Sequence, residues 1–104
     1  MGRMERDPLL DPALAGDPRL ARRARVQGEC RNRIRAEIDL PAQVNLQGAA
    51  LTGLLSYEEA ELFRAGQEWI LDMLRSARAR AADPGRCGEW PSPPEGLAAL
   101  AKRF

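Results

Sequence analysis

Ser56-Tyr-Glu-Glu59 is a capping box. The serine oxygen can accept from an orphan amide of the first helical turn, and the glutamate three residues on can bond back to the cap. Asp83-Pro-Gly85 is an equally decisive stop. Between these signals a single helix from Tyr57 to about Ala82 is expected. Leu62, Phe63, Gly66, Trp69, Ile70, Met73, Leu74 and Ala77 form a stripe along it broad enough to be the centre of a core. Leu55 can pack on Ala60 as a hydrophobic staple. Gly66 costs about 1 kcal/mol relative to alanine in mid-helix, a cost with a reason if another helix crosses closely there.

What packs on that stripe has to be helical too. Val, Ile and Thr together number six in 104 residues, and strands need β-branched and aromatic residues on their faces. Alanine, leucine, arginine and glutamate dominate instead, all good helix formers. The expected class is all-α: a small helical hairpin or three-helix unit with an extended N-terminal arm and an irregular C-terminal segment. Leu, Ile, Val and Phe total 21, so the core is thin. The net charge of +1 does not force the chain open.

A first helix is expected from Pro18, capped by Asp17, to Ile38. Cys30, Ile34 and Ile38 make a narrow stripe at i+4 spacing, with Leu20, Ala24 and Val26 near it. Seven arginines and one glutamate lie between Arg19 and Arg35. As a coiled coil this helix would place Leu20, Gln27 and Ile34 at one seam position but Arg23, Cys30 and Glu37 at the other, a poor seam. Leu40-Pro41 breaks or kinks the helix. A short helix from Ala42 to Thr52 follows, with Val44, Leu46, Ala50 and Leu51 on or near one face and Gly53 as its stop. Gln43 and Asn45 are polar positions suited to satisfying backbone groups near the kink, or to a polar contact with another chain.

The ends are different. Asp7-Pro-Leu-Leu10, Asp11-Pro-Ala-Leu14 and Asp17-Pro-Arg-Leu20 repeat one pattern. The first two copies meet another proline or Gly16 too soon to continue a helix, so residues 1–16 read as a tail, or as an arm whose Leu9, Leu10 and Leu14 dock on a neighbour. Residues 83–104 read as a Pro/Gly-rich loop and a short terminal helix carrying Leu97, Leu100 and Phe104. Trp90 stands among prolines and glycine. It can bury on the order of 200 Å², so it either folds back on the helices or enters a partner. The central unit is residues 17–82.

Catalysis has little to work with. Histidine is absent, which removes the commonest general base and metal ligand. The acidic residues of the long helix, Glu58, Glu59, Glu61, Glu68 and Asp72, are spaced as solvated helix neighbours and do not form a converging pair. Cys30 and Cys87 lie 57 positions apart without a ligand cluster around them. No catalytic, cofactor-binding or metal-binding residues are assigned, and no cofactor. Neither a secretory leader nor a stretch near the ~20 apolar residues of a membrane span is visible. The arginines of the first helix are the one electrostatic footprint for nucleic acid. They point all round the helix, and are expected to lie beside the long helix, which is acidic in its first half, or beside an acidic neighbouring subunit.

Cys30-Arg-x-Arg-Ile-x-Ala36, Gln43-x-Asn-Leu46, a polar turn, and Phe63-Arg-Ala-Gly-x-x-Trp-Ile70 with Met73-Leu-Arg75 follow one another across about half of the chain. This order resembles small helical proteins encoded among the tail and tail-fibre genes of tailed bacteriophages and prophages. The resemblance implies a structural or assembly role in a virion put together in the bacterial host cytoplasm. It also implies other virion or tail proteins as partners, several copies in one assembly, and no catalytic residues. The Asp-Pro arm and the Cys87–Trp90 loop lie outside it. The residues expected at contacts between chains are Leu9, Leu10, Leu14, Arg22, Arg23, Trp90, Leu97 and Phe104. The other classes left open are a small regulatory or inhibitory binding protein and a nucleic-acid-binding helix bundle.

Overall fold

A computed structural model describes residues 16–86 and 88–104. The expectations for Leu9, Leu10, Leu14 and Cys87 lie outside the described residues. Four helices follow in order: α1 (Pro18–Glu37), α2 (Leu40–Leu51), α3 (Tyr57–Ala82) and α4 (Leu97–Lys102), and the described residues contain no strand. The chain is all-α.

Each boundary has a local cause. Asp17 accepts from the Arg19 amide at 2.9 Å, and Pro18 occupies the first position of α1, where a missing N–H costs nothing. That bond holds the Asp17 carboxyl below its ordinary range. α1 stops at Glu37, and the Ile38 amide closes the last turn onto Ile34. The chain breaks for two residues only. Asp39 then caps α2 by accepting from the Ala42 amide at 2.9 Å, so α2 begins at Leu40, two residues before the expected start. Its end is a Schellman turn. Gly53 has φ +74, and the Leu54 amide reaches Ala49 O at 2.9 Å while the Gly53 amide reaches Ala50 O at 3.3 Å. The capping box at Ser56 is fully formed, with both reciprocal bonds present, and α3 covers Tyr57 to Ala82 as the stop signals require.

α1 and α3 form an antiparallel pair. Arg22 Nε donates to Ala81 O at 3.2 Å near one end, and the Cys30 thiol donates to Met73 O at 3.5 Å nearer the other. α2 and α4 close the end where α1 stops and α3 starts. The core is built from Cys30, Ile34 and Ile38, from Leu46, from Trp69, Met73 and Ala77, and from Leu97, Leu100 and Ala101. Phe63, Ile70 and Leu62 pack on it half-buried, whereas Leu74 stands 48% exposed at the edge of the stripe.

The C-terminal helix is structural. A Cβ at Gly66 would lie 2.8 Å from Leu97 Cδ1, so the mid-helix glycine makes room for this side chain from α4. Gly96, at φ +91, turns the chain into α4. Arg103 pairs with Glu59 of the capping box, and Asn45 Nδ2 donates to Phe104 O at 3.2 Å. The core therefore extends well past residue 82.

Candidate functional site

Two surfaces stand out among the described residues. The described residues contain no group of three or more His, Cys, Asp or Glu placed to hold a metal ion, and no helix long and apolar enough to cross a membrane.

The first surface is the outer side of α2. The sequence expectation placed Val44, Leu46, Ala50 and Leu51 on or near one face, and this is corrected. Leu46 and Ala49 are buried at 1% and 4%, whereas Val44 is 66% and Leu51 87% exposed, with Leu40 at 50%. At about 100° per residue, Leu40, Val44 and Leu51 fall within roughly 40° of one another, opposite the buried side. α2 is thus apolar on two opposite faces and uses only one of them inside the chain. Leu54, 68% exposed, and Tyr57, 80% exposed, follow directly. Residues 40–56 contain no charged side chain in a sequence that is 30% charged.

The second surface is a groove of about 910 Å³ between α1 and α3. Leu20, Leu74, Ala77 and Ala81 contribute to its lining, with Arg19, Arg23, Arg31 and Arg78 around them and no carboxylate among its lining residues. α1 does lie beside α3, as expected, but not against its acidic first half. Because the pair is antiparallel and in this register, α1 lies along the second half of α3, which carries Arg75, Arg78 and Arg80. Among the described residues, Arg23, Arg31 and Arg78 make no ion pair.

The other residues expected at contacts are placed as follows. Arg22 is half-buried and engaged with Ala81 O, while Arg23 is exposed at the groove. Trp90 folds back onto its own helices. Its Nε1 donates to Glu29 Oε2 at 3.1 Å, and the Arg80 guanidinium stacks 4.2 Å from its ring centroid, with Arg33 at 5.4 Å on the same ring. Arg80 also donates to Gly88 O at 2.6 Å, and Trp69 Nε1 to Pro91 O at 3.0 Å, so residues 88–91 are pinned across α1 and α3. Arg33, and then Trp90, hold the Glu29 carboxyl below its ordinary range. Leu97 is 2% exposed, and Phe104 is half-buried against the core. These two are taken up inside the chain.

Gln43 and Asn45 bond backbone carbonyls, Ile38 O at 2.9 Å and Phe104 O at 3.2 Å respectively. The Cys30 thiol is buried, and burial pushes its pKa up, away from the reactive thiolate. Sequence reasoning missed the outer face of α2. The signal was present, since Leu40, Val44 and Leu51 fall on the side opposite Leu46 and Ala49 and a helix with two apolar faces needs cover on both.

No protein-family model matches this chain, and neither a curated protein nor a solved structure is similar to it at a significant level. The likeness to tailed-phage proteins rests on the quoted residues alone.

Proposed function

We propose that this chain is a non-catalytic assembly component that works through protein–protein contacts, in the tail or tail-fibre region of a tailed-phage particle. The observation that carries the contact role is the exposed, uncharged side of α2. Leu40, Val44 and Leu51 stand exposed there, and Leu54 and Tyr57 follow just beyond the helix. Contiguous apolar surface of this kind marks interaction sites. The placement in a phage particle comes from the resemblance. The test is mass spectrometry of purified particles from the encoding phage or induced prophage. Peptides of this chain at a fixed ratio to tail proteins are expected. Recovery only from the unassembled soluble fraction would overturn the virion role and favour a regulatory binding protein.

A second reading is favoured by the groove, where four arginines surround an apolar floor with no carboxylate in the lining. Such a groove suits a polyanion, nucleic acid included. It predicts affinity that falls steeply with salt. No binding to DNA or RNA at low salt eliminates it.

A further inference from the structure

We infer that the outer face of α2 pairs with the same face of a second copy of this chain, antiparallel about a two-fold axis at the level of Asn45 and Leu46. This rests on the reading of that face as a contact surface and names its occupant.

Leu40, Val44, Gln47 and Leu51 are spaced by four, three and four residues, the spacing of a seam between packed helices. All four are exposed. The series reads the same in both directions about its midpoint. A second α2 laid antiparallel therefore sets Leu51 against Leu40 and Gln47 against Val44, twice over, which is the self-complementary contact a two-fold interface requires. Gly48, beside the seam, is exposed and has no atom within 4 Å of its Cβ position, so an approaching backbone meets no obstruction.

Charge selects the occupant. With no charged residue from 40 to 56, two copies face each other without the like-charge repulsion that ordinarily blocks self-association, and a charged partner would find nothing to pair with. The seam with Leu54 and Tyr57 exposes on the order of 500 Å² of apolar surface per copy, at the upper end for a monomer. Full cover of this face on both copies buries the roughly 1,000 Å² at which specific interfaces begin.

The experiment uses the full chain. Light scattering after size exclusion should give a dimer. Leu51→Glu should raise the dimer dissociation constant by about 100-fold or more, with circular dichroism unchanged because Leu51 contacts little of its own chain. Val44→Lys serves as the second variant and should act alike. In a Cys87→Ser background, Leu40→Cys mixed with Leu51→Cys should form an intermolecular disulfide under mild oxidation. Leu40→Cys alone should not, because antiparallel pairing holds the two copies of residue 40 about 16 Å apart along the axis, beyond disulfide reach. A monomer at all concentrations, a dimer indifferent to both charged variants, or disulfide formation by Leu40→Cys alone would each overturn the pairing. The particle measurement above decides the assembly reading independently, so the two failures can be told apart.

Discussion

Gly66 shows how one missing carbon sets local packing. A Cβ there would stand 2.8 Å from Leu97 Cδ1 and 3.2 Å from Cδ2. Leu97 is 2% exposed, so it has little room to withdraw. Gly66→Ala gains about 1 kcal/mol of helix propensity but overpacks the core at a cost of about 1–3 kcal/mol. The expected result is no stabilisation, and at most about 2 kcal/mol of loss. Gly28 in α1 is the control. Only the tip of Arg31, at 3.8 Å, comes near a Cβ placed there. Gly28→Ala should therefore stabilise by about 1 kcal/mol, raising the midpoint of thermal unfolding by roughly 4–8 °C for a domain of this size. Calorimetry on the pair decides between packing and propensity. Equal gains at both positions would mean that Leu97 does not hold its place against Gly66.

At the scale of elements, most starts and stops were legible because each depends on a few adjacent residues, the exception being α2, whose Asp39 cap sets its start at Leu40. Asp17-Pro18, the Ser56 box, Gly53 and Asp83-Pro-Gly85 all end or begin helices where the local chemistry places them. Faces and partners were not legible on the same terms. α2 carries leucine on opposite sides, so periodicity could not say which side α3 and α4 would take. The seat of Trp90 depends on Glu29 and Arg33 from one helix and Arg80 from another, groups far apart in sequence. That seat is open to a pH test. The folded-state pKa of Glu29 is depressed, chiefly by the Arg33 hydrogen bond. Its contribution is therefore complete above the ordinary carboxylate range and is lost as pH falls through the lowered value. Tryptophan emission should shift on acidification below the ordinary carboxylate range, and Glu29→Gln should abolish that shift while Trp69 keeps its own signal. The accompanying loss of stability should stay under about 1 kcal/mol, since both Glu29 and Arg33 are half-exposed. An acid shift that persists in Glu29→Gln would place the titrating group elsewhere.

For the whole molecule, the deciding quantity is how few side chains hold it together. The buried cluster draws three residues from α4, a helix of six residues that is too short to persist alone. α4 is ordered by the core it completes, and the core has little to spare. Native chains are held by only roughly 0.05–0.15 kcal/mol per residue, and removing a buried leucine costs about 2–5 kcal/mol. Leu97→Ala and Leu100→Ala, at side chains 2% and 5% exposed, should therefore each remove a large share of the isolated chain's stability and lower its urea midpoint. Removal of residues 96–104 should abolish cooperative unfolding, because Gly66, Leu46 and Ile70 would lose a wall of the core together. Leu51→Ala should change the unfolding of the single chain by no more than about 0.5 kcal/mol, since its side chain is 87% exposed. Urea unfolding at micromolar and sub-micromolar protein separates these effects. A core defect destabilises at every concentration, whereas loss of a contact between copies matters only where the copies would have met. If Leu97→Ala left the midpoint in place at both concentrations, the terminal helix would be an appendage, and the long helix would need another partner to cover Gly66.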